Sequence, residues 1–199
     1  MDVAEALCRR HMVRTFSATP LDPCLVERML AHALRAPTAG NTRGTAWLVL
    51  QGGEQTATYW ACTTTEAWRG RSRRWPGLSR APVVALSLAS PDEYARRYGE
   101  ADKAGLGSPA ATWAVPYWFG DAAFATMSLL LQATAEGLGA CFLGNFRGED
   151  RLLAALGVPE GWRLFGAVLL GHHGGPDPRS PSLDRTGASR ASRIHRGRW

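Results

Sequence analysis

The chain has 199 residues, of which 45% are hydrophobic and 20% are charged. These proportions are those of an ordinary globular protein and exclude disordered and collagen-like classes. The 23 basic and 17 acidic residues give a net charge of +6, and the basic excess is concentrated near the C-terminus. The length suits a single domain over residues 1–199, with a core that needs neither disulfides nor a structural metal.

The four cysteines, Cys8, Cys24, Cys62 and Cys141, lie far apart and form no CxxC pair. This spacing indicates neither a disulfide framework nor a zinc site, and reduced thiols are typical of cytoplasmic proteins. No apolar signal segment is visible at the N-terminus, and the most apolar stretch, Ala122 to Ala135, is too short to span a bilayer. We therefore expect a cytoplasmic protein that does not enter the membrane.

Two helices are predicted first. Asp2 is placed to cap a helix that extends to about Arg10, and Asp22 with Pro23 begins a second helix with apolar residues at helical spacing. The residue before Pro37 ends the second helix, because that position avoids the helical region.

Strands and helices then alternate. The predicted elements are a strand at Thr45 to Gln51, a helix at Glu54 to Arg69, an exposed loop at Gly70 to Arg80, a buried strand at Pro82 to Leu88 and a short helix at Asp92 to Tyr98. An irregular segment with several aromatic residues follows and leads into the longest apolar stretch.

Asp121 is predicted to cap a long helix over Ala122 to Glu136, which Gly137 ends. This helix is apolar nearly all round, so it should lie in the centre of a domain or in an oligomer interface. The remaining predicted elements are a strand at Ala140 to Leu143, a helix at Glu149 to Leu156 and a strand at Leu164 to Leu170. The order of elements indicates an α/β or α+β fold, followed from His172 by a polar, basic tail.

Arg10 and Arg14 stand four residues apart with His11 between them, so they can converge on an anion or on the electron-rich edge of a ring. On this motif alone, a solvated face of a short helix is the better interpretation. The loop from Ala36 to Arg43 can bring backbone groups close to a planar ligand, with Asn41 as donor and acceptor, although the same residues also suit an ordinary turn.

The stretch Gly137-Leu138-Gly139 begins like a dinucleotide-binding fingerprint, but Phe142 stands where the third glycine belongs. It also leads from helix into strand, the reverse of the required order, which excludes a Rossmann site. Gly144-Asn145, just past the strand, could still present backbone N–H groups to a ligand.

His172 and His173 are joined by no carboxylate or cysteine motif, so we expect no metal site, and no hydrolase or kinase signature is present. The aromatic cluster from Trp113 to Phe119 could stack on a flat substrate or pack against the long helix, and the sequence leaves both interpretations open.

Taken in order, these segments resemble the FMN-dependent nitroreductase family. The resemblance rests on Arg10 to Phe16, on Ala36 to Asn41, on Asp121 opening an apolar helix that ends at Glu136 to Cys141, on Leu143 to Phe146 and on the strand Phe165 to Gly171. It implies an α+β fold with a central, mostly antiparallel sheet flanked by helices. It also implies a domain-swapped homodimer in which the tail of residues 172–199 wraps the partner, with two FMN sites at the interface.

The resemblance assigns roles to residues in both subunits. Arg10 would hold the FMN phosphate with a tail arginine, Arg190 first and Arg193 second, and Arg14 would face the pyrimidine side of the flavin. The other residues implied at the cofactor are His11 and Met12 along the ribityl chain and ring edge, Pro37, Thr38 and Asn41 from the partner, the backbone of Gly144 and Asn145 near flavin N5, and Leu143. The substrate would meet Trp113, Tyr117, Trp118 and Phe124.

Two positions depart from the family pattern. Met12 stands where a small hydroxyl residue is usual, and Arg43-Gly44-Thr45 replaces a frequent Gln-Pro-Trp. Arg43 is therefore free to reach the flavin or an anionic substrate.

The first functional hypothesis is an FMN enzyme that passes hydride from NAD(P)H to a nitroaromatic or quinone by a ping-pong mechanism, without a catalytic side chain of its own. The alternatives are an FMN-dependent tailoring dehydrogenase or oxidase acting on a peptide-like or heterocyclic metabolite, and a non-catalytic flavin-binding protein. Nucleic-acid binding through the arginine tail is disfavoured, because the tail has almost no interleaved aromatic residues.

Overall fold

The structure is a computed structural model that describes residues 1–71, 77–103, 112–179 and 193–199. Its helices are α1 (Val3–Arg9), α2 (Pro23–Ala33), α3 (Gly53–Thr63), α4 (Glu66–Arg71), α5 (Pro91–Tyr98), α6 (Tyr117–Ala135) and α7 (Glu149–Ala155). Its strands are β1 (Thr45–Gln51), β2 (Val83–Ala89), β3 (Gly139–Leu143) and β4 (Arg163–Gly171).

The four strands form one sheet in the order β1-β2-β4-β3, and every neighbouring pair is antiparallel. β2 and β4 occupy the centre, and all seven residues of β2 are buried. This architecture confirms the predicted α+β class with an antiparallel sheet flanked by helices.

Helices cover both faces of the sheet. Val84, Leu86 and Leu88 of β2 pack in a cluster with side chains of α3 and α7. Val83 and Ala85 point the other way, into a cluster with α2 and α6. The alternation follows from the two-residue period of a strand, and it explains why β2 carries apolar residues at consecutive positions.

One polar contact stands inside the second cluster. Thr126 of α6 donates its hydroxyl hydrogen to the hydroxyl oxygen of Ser87 on β2 across 3.2 Å, and both residues are buried. Each hydroxyl satisfies the other in an otherwise apolar layer.

Local capping signals predicted several elements correctly. Asp2 caps α1, and Asp22 caps α2 by accepting from the backbone N–H of Cys24 across 3.0 Å, with Pro23 in the first turn. β1 has the predicted bounds, and Gly137, with a φ of 71°, follows α6 as expected.

Three predictions about elements were wrong. α6 begins at Tyr117, four residues before Asp121, so Asp121 lies inside the helix instead of capping it. The helix expected over Glu54 to Arg69 is two helices separated at Thr64 and Thr65. Leu78–Arg80 forms a 3₁₀ turn with Leu78 buried, and not an exposed loop. Residues 72–76 of that predicted loop lie outside the described part of the chain.

Within the described ranges, no helix combines the length and the apolar character needed to cross a membrane.

Candidate functional site

The segment after α1 lies alongside β3. The backbone N–H of Val13 donates to the carbonyl oxygen of Ala140 across 2.9 Å, and the N–H of Phe142 donates to the sulfur of Met12 across 3.4 Å. Met12 is half-buried and touches both core clusters. The thioether at this departure from the family pattern therefore packs into the protein and bonds the neighbouring strand.

Arg14 is held by the beginning of the tail. Its backbone N–H donates to both carboxylate oxygens of Asp177, across 3.1 and 2.9 Å, and its guanidinium donates to the carbonyl oxygen of Met12 across 3.2 Å. The N–H of Gly174 donates to the carbonyl of Thr15 across 2.8 Å. The tail thus returns to the N-terminal segment and holds the backbone of Arg14, while the carbonyl of Met12 binds its guanidinium.

The other two residues of the motif are more open. Arg10 is half-buried and closes α1, with its N–H donating to the carbonyl of Ala6. His11 is exposed, and its ring lies 6.0 Å from that of His173. Of the two tail arginines expected at the phosphate, Arg190 lies outside the described residues and Arg193 is exposed.

A cavity of about 370 Å³ opens where β3 ends. Leu143, Gly144 and Asn145 form one wall, and the opposite wall comes from α3, α4 and the turn at Leu78. The amide oxygen of Asn145 accepts a hydrogen bond from the Tyr59 hydroxyl across 3.3 Å, while its amide nitrogen is buried with no partner among the described residues.

The aromatic side chains of Tyr59, Trp60 and Trp68 line this cavity. The rings of Trp60 and Trp68 are stacked in its lining, 6.3 Å apart with an interplanar angle of 13°. Burial raises the pKa of the Tyr59 phenol to about 12 and that of the neighbouring Cys141 thiol to about 11. Both groups therefore keep their protons near neutral pH.

The loop of residues 37–43 has an unusual backbone. Gly40 and Asn41 both have a positive φ, 65° and 54°, and Asn41 is the one described residue other than glycine with a positive φ. This left-handed conformation costs energy for a residue with a side chain, and such strain clusters at functional sites. Thr42 stabilises the turn by donating its hydroxyl to the carbonyl of Ala39 across 2.6 Å.

Asp121 holds this loop from inside α6. Its Oδ2 accepts the backbone N–H of Ala39 across 2.7 Å and the hydroxyl of Tyr94 across 2.6 Å. Arg97 of α5 donates to the carbonyl oxygen of Gly40 across 2.8 Å. The loop is thus clamped between α5 and α6, and it borders a second cavity of about 510 Å³.

The predicted aromatic substrate residues surround α5. Trp113 and Trp118 contact the ring of Tyr94 edge-on at 6.5 and 6.4 Å, and Trp113 also contacts Tyr117 at 5.4 Å. Tyr117 and Phe124 are about half-exposed on α6. None of the four lines either of the two cavities, so within one chain this cluster supports the loop of residues 37–43.

Within one chain the predicted cofactor residues form two groups. Residues 10–14 and 143–145 meet along β3, whereas Thr38, Asn41 and Arg43 line the second cavity and Pro37 is exposed beside it. The sequence reasoning missed Tyr59, Trp60 and Asp177. Tyr59 and Trp60 carry no signal beyond helical periodicity, but an aspartate in a strongly basic tail could have suggested Asp177.

Comparisons with known proteins fit this arrangement. Residues 7–172 match the model of the nitroreductase family. A protein of Archaeoglobus fulgidus, described as a proposed NADH dehydrogenase/NAD(P)H nitroreductase, is 27% identical over 195 residues, which cover 96% of this chain and 94% of that protein.

Solved structures share the fold. A nitroreductase family protein of Clostridium difficile superposes with a TM-score of 0.72 at 17% identity, covering 100% of both chains. NfrA2 of B. megaterium superposes with a TM-score of 0.74 at 16% identity, covering 100% of this chain and 76% of its own.

Proposed function

This chain belongs to the nitroreductase family and is an NAD(P)H-linked oxidoreductase, and we propose that it uses FMN to pass hydride to a flat, electron-poor acceptor such as a nitroaromatic or a quinone. The observation that carries the proposal is the packing of residues 10–14 along β3, beside the cavity at Gly144 and Asn145. The segment that contains Arg10 and Arg14, the exposed backbone at Gly144 and this cavity thereby all lie along the edge strand β3.

The residues present fit a flavin. The cavity of about 370 Å³ is within the range of small-molecule sites, and its aromatic and apolar lining suits a planar ring. Asn145 offers a buried amide nitrogen that lacks an acceptor among the described residues, and the ring edge of a flavin carries several acceptors. Gly144 is exposed and has no side chain to cover its backbone, so a ligand can approach it closely.

Each protein group has a task in this scheme. Arg10 would bind the phosphate, with a tail arginine as second ligand, and Arg14 would place a permanent positive charge at the pyrimidine edge of the ring. FMN, when bound, supplies the two-electron redox chemistry. Asp177 and the carbonyl of Met12 hold Arg14 in place beforehand, so its charge acts without a costly rearrangement.

Among the described residues that line this cavity, none is an activated nucleophile. Burial keeps Cys141 and Tyr59 protonated near neutral pH, so neither a thiolate nor a phenolate stands beside the cavity. This agrees with a reaction in which the side chains bind and orient while hydride moves between donor, cofactor and acceptor.

The site requires a second copy of the chain in our proposal. None of residues 10–14 lines the cavity that the loop of residues 37–43 borders, and α6 leaves Tyr117, Phe124 and Met127 exposed at helical spacing on one face. A homodimer would cover this face, bring the loop to the partner's FMN and give residues 172–199 a surface to wrap. Tyr117 and Phe124 would then be placed to meet the substrate.

An absorbance spectrum of the protein, purified without added flavin, tests this function. We expect the two bands of oxidised flavin, and bleaching of these bands when NADH or NADPH is added without oxygen. Bands that do not bleach would favour a dehydrogenase or a storage protein. A colourless protein that also fails to bind added FMN would contradict the proposal.

A further inference from the structure

The cavity behind the loop of residues 37–43 has an excess of positive charge. Arg35 and Arg43 both line it, and neither guanidinium makes an ion pair or a hydrogen bond with a described residue. By contrast, Arg28, Arg96 and Arg97 each pair with a glutamate or an aspartate.

The acidic groups near the two arginines are already engaged. Asp121, the acid in the lining of this cavity, accepts from Tyr94 and Ala39 through Oδ2. A smaller cavity on the other side of Arg43 contains Glu93 and Glu100, and these carboxylates pair with Arg96 and Arg97. The charge of Arg43 is therefore left for a ligand.

The loop also fixes where Arg43 stands. The left-handed pair Gly40 and Asn41 turns the chain immediately before it, and bonds from Asp121 and Arg97 hold that turn at Ala39 and Gly40. Gly44 follows directly, pressed against the ring of Tyr94. The backbone of Arg43 is therefore fixed before a ligand binds, and its planar guanidinium matches the two oxygens of a carboxylate or phosphate.

We propose that Arg43, assisted by Arg35, binds an anionic group of one of the two substrates and so selects anionic substrates over neutral ones of the same shape. The inference rests on the proposed function, because the loop of residues 37–43 must lie beside the partner's flavin. Carboxylate and phosphate are both oxyanions that a guanidinium can bind through two oxygens. The anion can come from either of two sources, the 2′-phosphate of NADPH or a carboxylate on the flat acceptor.

The test compares Arg43→Gln with Arg80→Gln and the unaltered protein. Arg80 is an exposed arginine outside both cavities, so its loss changes the net charge equally. Calorimetry gives the dissociation constants of NADP⁺ against NAD⁺, and of 4-nitrobenzoate against the neutral 4-nitrobenzamide. Fluorescence quenching gives those of FMN against riboflavin. None of these measurements depends on turnover.

In Arg43→Gln we expect the anionic member of one substrate pair to bind ~10- to 100-fold more weakly, while its neutral partner is unaffected. Selective loss of NADP⁺ identifies the donor as the source, and selective loss of 4-nitrobenzoate identifies the acceptor. Three results would each overturn the inference. The first is an equal loss of affinity for both members of each substrate pair, the second is the same change in Arg80→Gln, and the third is a loss of affinity that is confined to FMN relative to riboflavin. Absence of flavin binding in the unaltered protein would instead contradict the proposed function, and the two substrate pairs would still be measurable.

Discussion

The phenol of Tyr94 donates a hydrogen bond to Asp121 across 2.6 Å, and both residues are buried between α5 and α6. The same carboxylate oxygen accepts the N–H of Ala39, so it joins two helices and a loop. Burial and this bond together hold the pKa of Tyr94 well above its ordinary value. The phenol therefore remains a donor throughout the physiological pH range.

Replacing Tyr94 by phenylalanine should lower the free energy of unfolding by about 1.5–3 kcal/mol, because a hydrogen bond to a buried carboxylate is lost. Urea denaturation followed by circular dichroism measures the change. Tyr98→Phe is the matched control, since the Tyr98 hydroxyl bonds no described residue while its ring packs on Trp113. Equal stability of the two variants would show that the Tyr94 bond contributes nothing.

Gly44 should not tolerate a side chain. A Cβ at this position would lie 2.4 Å from Cε2 of Tyr94, whose ring is fully buried and cannot move aside. We expect Gly44→Ala to destabilise the protein by about 1–3 kcal/mol, as for overpacking. In Gly53→Ala nothing lies within 4 Å of the new atom, so its thermal midpoint should stay unchanged or rise. A Gly44→Ala protein as stable as Gly53→Ala would contradict the packing described for Tyr94.

Arg10→Ala should weaken FMN binding by about 1.5–3 kcal/mol, the value of a charge-assisted hydrogen bond. Quenching of flavin fluorescence on titration into apoprotein measures the dissociation constant. Arg9→Ala serves as control, because Arg9 is exposed and pairs with Glu5 across 2.9 Å. Full FMN affinity in Arg10→Ala would refute the assignment of Arg10 to the phosphate.

Two inactive variants should restore one site when they form a mixed dimer. In our proposal a site takes Arg10 from one chain and Asn41 from the other. A dimer of Arg10→Ala with Asn41→Ala then has one site with both residues and one with neither. Differently tagged chains allow the mixed dimer to be purified, and we expect one FMN and half of the activity for each dimer. Mixed dimers no better than either parent would indicate that both residues serve the same chain's site.

The thiols should fall into two classes. Cys8 and Cys24 are exposed, while Cys62 and Cys141 are buried, and burial raises the pKa of Cys141 to about 11. Because the thiolate is the reactive form, Cys141 should react slowly with a thiol reagent, both because it is buried and because its raised pKa keeps it protonated. A thiol reagent such as DTNB at pH 8 should label the two exposed cysteines quickly and the other two only after unfolding in guanidinium. Rapid labelling of a third cysteine in the native protein would contradict this burial.

Elements with local signals were predictable from the sequence. Asp22 and Pro23 mark the start of α2, and Gly52 follows the last residue of β1, because capping and turn preferences act over a few residues. The same reasoning selected residues 10–14, the loop of residues 37–43 and Gly144 as candidates for the site. Each of these is a short motif that a resemblance to a known family can place in order.

Contacts between distant segments were not predictable in this way. Asp121 resembles an N-cap because an apolar run follows it, yet its carboxylate bonds Ala39, 82 positions away. Side chains also contribute to the end of α3. The hydroxyls of Thr63 and Thr64 donate hydrogen bonds to the backbone carbonyls of Tyr59 and Trp60, one turn earlier in the helix. Propensity and periodicity contain no information about such partners.

The hydroxyl pair of Thr126 and Ser87 determines more than its own bond. Apolar attraction is not directional, so it specifies the position of a helix along a sheet less sharply than a hydrogen bond does. A shift of α6 by one turn, about 5.4 Å, would leave both buried hydroxyls without a hydrogen-bond partner. This cost favours a single axial position of α6. Asp121 lies five residues earlier on the same rigid rod. The hydrogen bond between Thr126 and Ser87 in the core therefore also determines where Asp121 lies along the sheet, and with it the position at which α6 binds the loop of residues 37–43.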